Sequence, residues 1–213
     1  MDRMKVGVLA SGEGTDFQSL IDAVERGDLD VSLAILISNK EDAPVLGRAD
    51  RHGIPWVFVD HQGRSRDAFE REVVQELRQR DVDLVVFAGF MRLVTPYFID
   101  QFPSRIINIH PSLLPAFPGA HAQRDAVGWG VKVSGCTVHL VDASLDGGPI
   151  VYQETVPVRP GDTEETLAAR ILEVEHRVLP YVVKLFAEGR VRVDGRDVLL
   201  DEEGLAPLSS AGG

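Results

Sequence analysis

Apolar residues along this chain recur at two spacings that take turns. KVGVLA (5–10) is a short apolar run, and in DFQSLIDAVERG (16–27) Phe17, Leu20, Ile21 and Val24 fall at helical spacing until Gly27 ends the pattern. The alternation then repeats: a strand is predicted over 32–38, a helix over 43–53 and a strand over 56–60. A helix over 69–80, with Val73, Val74 and Leu77 inward, leads to a fourth strand over 83–89. That fourth strand, DLVVFAG, is apolar nearly throughout, as parallel strands covered on both faces are. Strand–helix units in series predict right-handed crossovers and a doubly wound, mostly parallel twisted α/β sheet of Rossmann-like form.

The second half changes character. TPYFIDQF (95–102) reads as a short helix with Pro96 in its first turn, RIINIH (105–110) as a fifth strand, and 120–130 as a helix. Two long strands over 134–142 and 148–158, joined by the turn-rich ASLDGG, predict an antiparallel pair at one sheet edge. A capping box of Asp162 with Glu165 is expected to launch a long C-terminal helix over 163–189, with Leu167, Ile171, Val174, Val178, Val182 and Leu185 on one face. Pro180 should kink or interrupt it. RVRVDGRDVLL (190–200) resembles a hairpin, and the tail 204–213 has too little apolar surface to pack and is expected to be disordered. Neither an internal repeat nor a domain linker is visible, so residues 1–203 read as a single domain.

Charge narrows the partners. With 22 basic and 33 acidic residues the formal charge is −11, which repels nucleic acid, and a phosphorylated ligand must be held by local geometry. The one cysteine, Cys136, excludes an internal disulfide and a four-thiolate zinc site, and its strand-like setting GCTVHLV makes it a buried small hydrophobe. No apolar run approaches about 18 residues, and the start MDRMKVGVLA lacks the sections of a signal peptide, so no membrane partner and a cytoplasmic location are expected.

Two stretches carry candidate chemistry. After the first strand, Gly12 and Gly14 in SGEGTDFQSL permit a tight turn into a helix whose free N–H groups suit an anion. Thr15 with Gln18 also reads as a capping box, so this turn is as readily a plain helix start as a phosphate cradle. The second stretch, INIHPSLLPAFPGAH (107–121), ends a strand on Asn108 and His110 and continues as a proline-stiffened apolar loop, less a tether than a wall. Asn108 and His110 are two apart, hence on one face, at the carboxyl end of a parallel strand where open sheets bind ligands. SLDGGPI adds Asp146 beside two glycines that allow close approach. An imidazole shuttles protons near neutrality, a carboxylate orients it, and an amide NH₂ holds an oxyanion. No nucleophile or metal-ligand spacing accompanies them. The set therefore fits group transfer to an amine that is its own nucleophile, against the plainer reading that both side chains pair with backbone.

INIHPSLLPAFPGAH, with AGFMRLV before it and SLDGGPI after it, resembles the folate-dependent formyltransferases from the first strand to about Gly189, and most of all the branch that formylates glycinamide ribonucleotide. The resemblance implies 10-formyltetrahydrofolate as donor and co-substrate, glycinamide ribonucleotide as acceptor, no metal, and a monomer or homodimer. Asn108, His110 and Asp146 match the catalytic trio. Met91, Arg92, Leu93, Val94 and the loop Asp142, Ala143, Ser144, Leu145, Asp146 match the folate site, as do Asn108 and Arg66. Gly14, Thr15 and Asp16 match the acceptor phosphate turn, and Glu175, with Glu173 nearby, an acceptor position on the long helix. By this likeness residues 1–100 form a phosphate-binding half and 101–203 a catalytic and folate-binding half. His121, His139 and His176 read as structural or solvated.

One departure from the family's usual Ser-Gly-x-Gly-Ser-Asn matters in this chain's Ser-Gly-Glu-Gly-Thr-Asp. Asp16 stands where asparagine is usual, putting a carboxylate beside the implied phosphate, a repulsion of about 1 kcal/mol or more. Either Asp16 turns away, the phosphate site is weak, or the acceptor differs. A sugar-nucleotide amine is the rival acceptor, and a non-catalytic folate- or nucleotide-binding module the rival of another class.

Overall fold

The computed structural model describes residues 2–203, and the expectation for 204–213 lies outside the described residues. Seven strands form one sheet in the order β3-β2-β1-β4-β5-β6-β7. They are β1 (Met4–Leu9), β2 (Val31–Ser38), β3 (Trp56–Phe58), β4 (Leu84–Phe87), β5 (Ile106–His110), β6 (Val133–Leu140) and β7 (Ile150–Pro157). The first five pair in parallel, while β6 runs antiparallel to both β5 and β7. This is the expected doubly wound sheet with an antiparallel edge, and its strand ends lie within a few residues of the sequence reading.

Among the described residues six helices cover it: α1 (Thr15–Glu25), α2 (Pro44–Arg51), α3 (Arg66–Arg78), α4 (Pro96–Gln101), α5 (Ala122–Trp129) and α6 (Glu164–Ala187). On one face α1, α2, α5 and α6 build a core with Phe17, Leu20, Val45, Ile171, Val178 and Val182. On the other, Phe69, Val73 and Leu77 of α3 pack with Phe98 and Phe102 around β4. Burial on both faces explains why β4 carries no polar alternation. A hairpin of β8 (Val191–Asp194) and β9 (Asp197–Leu200) follows α6, as expected. No helix among the described residues is long and apolar enough to cross a membrane.

Three local expectations change. The box that starts α6 is Thr163 with Thr166, each hydroxyl accepting from the other's backbone N–H. Asp162 instead holds Arg170 through two bonds of 2.8 and 2.9 Å and accepts the Arg159 N–H, charge-assisted contacts stronger than a cap. At α1 the N-cap is Gly14, in the left-handed region at φ 70°, and Thr15 already lies in the helix, so the Thr15–Gln18 box does not form. A Cβ on Gly14 would sit 2.2 Å from Val45, so only glycine fits there. Finally, Pro180 does not interrupt α6, although it has no N–H to offer the residue 176 carbonyl. Burial of the apolar face, at about 1.5–3 kcal/mol for each large side chain, outweighs one lost bond.

Candidate active site

The strand order reverses around β1, which lies between β2 and β4, and ligands in such sheets bind beyond the carboxyl ends near that switch. A cavity of about 390 Å³ opens there. Its floor is Asn108 and His110, and its rim carries Met91, Arg92 and Leu93 after β4. Leu145 and Asp146 close one side, Asp16 and Glu175 the other. Gly148 lets the 142–148 loop lie against β6, because a Cβ there would meet the Leu140 carbonyl at 1.8 Å.

His110 ends β5 and is 5% exposed. Its Nε2 lies 2.9 Å from the Phe117 carbonyl, which can only accept, so Nε2 carries a hydrogen. Nδ1 then faces Asp146 Oδ2 at 3.6 Å, the place where a second proton would find a carboxylate. Asp146 is itself anchored, since Oδ2 accepts the Gly119 N–H at 2.8 Å. Phe117 and Asp146 both have positive φ, 53° and 50°, an arrangement of order 1 kcal/mol or more per residue. Both strained residues are partners of the same imidazole. The proline-stiffened loop therefore does more than wall the cavity: its backbone aims His110.

His139, taken from the sequence as structural or solvated, belongs to this site. It is opposite Asn108 in the β5–β6 register, and its Nε2 lies 3.1 Å from Asn108 Nδ2. Nδ1 is 2.9 Å from the Leu140 carbonyl, so it carries the hydrogen and Nε2 accepts from the amide. Burial holds the His139 pKa below its ordinary value, against the opposing pulls of the Leu140 carbonyl and Asp146 charge. The ring is thus neutral and fixes which end of the Asn108 amide is NH₂. One amide hydrogen goes to His139 and the other is left for a ligand. Cross-strand register was the signal, and it is not readable from residue spacing within one strand.

The structure divides the remaining candidates. Val94, Asp142 and Ser144 line a small cleft adjoining the cavity, with Asp142 Oδ1 accepting the Ser144 N–H at 2.8 Å. Ala143 is exposed on the same loop. Thr15 lines a separate hollow of about 400 Å³ at the start of α1, among Arg26, Arg48, His176 and Arg177. Gly14 caps the helix behind it. Arg66 is exposed at the first residue of α3 and Glu173 is exposed on α6, and neither lines the cavity. His121 caps α5. Gln123, which the sequence reading passed over, lines the cavity one turn of chain beyond the proline loop. Cys136 is fully buried, as expected, and burial followed by the Glu175 and Asp16 charges raises its pKa, so no thiolate is at hand.

A model of the formyl transferase family matches residues 4–183, most of the chain and every segment that builds this cavity. The chain belongs to the formyl transferase family. Across that family's fold it is 40% identical over 209 residues to phosphoribosylglycinamide formyltransferase of Escherichia coli K12, covering 98% of this chain and 99% of that one. It is 42% identical over 193 residues to the trifunctional purine biosynthetic protein adenosine-3 of Gallus gallus, 90% of this chain but only 19% of that much longer protein. Among solved structures, glycinamide ribonucleotide transformylase 1 from Symbiobacterium toebii superposes with a TM-score of 0.91 at 48% identity, over 93% of this chain and 94% of that one.

Proposed function

We propose that this formyl transferase moves a formyl group from 10-formyltetrahydrofolate to the primary amine of glycinamide ribonucleotide, a step of purine biosynthesis. The observation that carries the reading is the convergence of Asn108, His110 and Asp146 on one cavity, in a chain so similar along its whole length to a phosphoribosylglycinamide formyltransferase.

In this reading the amine attacks the formyl carbon directly. The unspent Asn108 amide hydrogen donates to the oxygen as it gains charge, and a neutral donor held ready in a buried site is effective because it need not reorganise. His110 takes the amine proton at Nδ1, Asp146 stabilises the imidazolium, and the proton passes to the folate nitrogen as its bond to the formyl carbon breaks. No covalent enzyme intermediate is needed. Met91 to Val94 and the 142–146 loop hold the donor, with Arg66 reaching it from α3. Gly14, Thr15 and Asp16 receive the acceptor's phosphate, with Glu175 and Glu173 on the acceptor side. The halves 1–100 and 101–203 act within one domain, working in the cytoplasm as monomer or homodimer.

The test offers 10-formyltetrahydrofolate with glycinamide ribonucleotide, with sugar-nucleotide amines, and with water alone. Tetrahydrofolate released only with the ribonucleotide is the expected result. Release with a sugar-nucleotide amine or with water would replace the acceptor, and tight folate binding without transfer to any of them would make the chain a binding module.

A further inference from the structure

The acceptor side of the cavity contains a pair of carboxyls that no step of the transfer consumes. Asp16 sits in the first turn of α1 and Glu175 on α6; Glu175 is 6% exposed, the Asp16 side chain 15%, and both line the cavity. Asp16 Oδ1 is buried with no hydrogen-bond partner among the described residues. Its ionic contact is His176 Nε2 at 3.9 Å, too far for a hydrogen bond, and that nitrogen is buried and unpartnered as well. Burial also lowers the His176 pKa, so the ring brings no dependable positive charge.

The other ionisable groups facing this pair give little relief. From β6 comes the un-ionised Cys136 thiol, and across the cavity stand Arg92, His110 and Asp146. Asp22 and Arg48 act on His176 from α1 and α2. Two buried carboxyls in one wall cannot both ionise freely. Burial, and then the Asp16 charge, hold the Glu175 carboxyl well above the ordinary carboxylate range. Asp16, raised by burial to about 6, is the member that titrates near working pH.

The first-turn N–H groups of α1 that suit a phosphate include that of Asp16 itself, and the hollow beside Thr15 holds Arg48 and His176. We propose that Asp16 is the residue that sets how tightly the phosphorylated acceptor binds: as a neutral acid it serves as a hydrogen-bonding neighbour, and as a carboxylate it repels the dianion. The position usually held by an uncharged asparagine thereby becomes a pH-dependent gate on acceptor affinity, one that leaves the donor side alone. This rests on the acceptor assignment given under Proposed function.

The experiment measures KM for glycinamide ribonucleotide and for 10-formyltetrahydrofolate from pH 5.5 to 8.5, in the natural chain and in Asp16→Asn. Natural KM for the ribonucleotide should rise above about pH 6 and level off about fivefold or more higher, the limit set by the repulsion between one carboxylate and the phosphate. Asp16→Asn should remove that rise, and KM for the folate should follow the same course in both chains. The phosphate and the attacking amine titrate identically in the two chains and cancel in the comparison. Calorimetry of ribonucleotide binding in two buffers should show proton uptake near pH 7 that Asp16→Asn abolishes. Parallel KM profiles in both chains, or equal proton uptake, would overturn the proposal while transfer itself continued. Absence of transfer to the ribonucleotide in either chain at every pH would instead overturn the acceptor assignment.

Discussion

The two sides of the cavity are built on opposite principles. On the side proposed for the donor, three apolar side chains stand in solvent: Met91 is 72% exposed, Leu93 50% and Leu145 55%, each presented from a loop. On the side proposed for the acceptor, the side chains are ionisable and buried, with Asp16 and Glu175 carried on helices. Exposed apolar groups around a concave site gain when a ligand covers them, and a flat ring system does that. Buried carboxyls gain nothing from cover. They gain from a ligand that supplies hydrogen bonds, and lose to one that brings negative charge. In the proposed reading one side selects by area and the other by protonation, with the Asn108–His110–Asp146 cluster between them.

The largest expected effect strikes the cluster. Asp146→Asn keeps the shape but not the charge facing His110 Nδ1, and kcat should fall about 10³-fold with both KM values little changed. Asn108→Ala removes the one uncharged donor at the floor and should lower kcat about 10²-fold. Stopped-flow release of tetrahydrofolate reads both. On the donor side, Leu93→Ala with Leu145→Ala should raise KM for the folate roughly tenfold, the loss of about 1.4 kcal/mol of covered apolar surface. KM for the ribonucleotide should stay where it was. A matched rise in both constants would erase the distinction between the two sides.

The smallest effect is on stability and belongs to the acceptor side. Glu175 has its folded pKa raised, so above the ordinary carboxylate range the folded chain retains a proton the unfolded chain has released. Folding stability therefore drops as pH rises through that window. Glu175→Gln should raise Tm by about 2–4 °C at pH 8 and by much less at pH 4.5, where about half of the unfolded chains keep the proton as well. Differential scanning calorimetry at the two pH values checks the sign. A gain that is equal at both would mean that packing, not ionisation, distinguishes the variant.

Periodicity made the fold legible. β1 to β5 and α1 to α6 were readable because each buries a face or a whole strand, and burial writes itself into residue spacing. Asn108, His110 and Asp146 were legible because their motifs are unusual and their loops carry glycine and proline where the backbone needs them. His139 was not, because its contact with Asn108 comes from the β5–β6 register, which no spacing within β6 records. The α6 cap was misplaced by one residue because Asp162 and Thr163 are both good caps, and only the distant Arg170 decides between them. Asp16 was visible as an oddity, but its burial beside Glu175 depends on α6 returning across the sheet from more than a hundred residues away.

The bond from Gly119 N–H to Asp146 has a bearing on how substitutions at position 146 should be interpreted. One oxygen both latches the proline-stiffened segment and confronts the imidazole, so removing the side chain opens a clasp and discharges an electrode in a single stroke. Asparagine retains an oxygen for the latch and alanine does not. The ratio of the two variants' rates therefore weighs mooring against charge, and a ratio near one would mean that the clasp is idle during turnover.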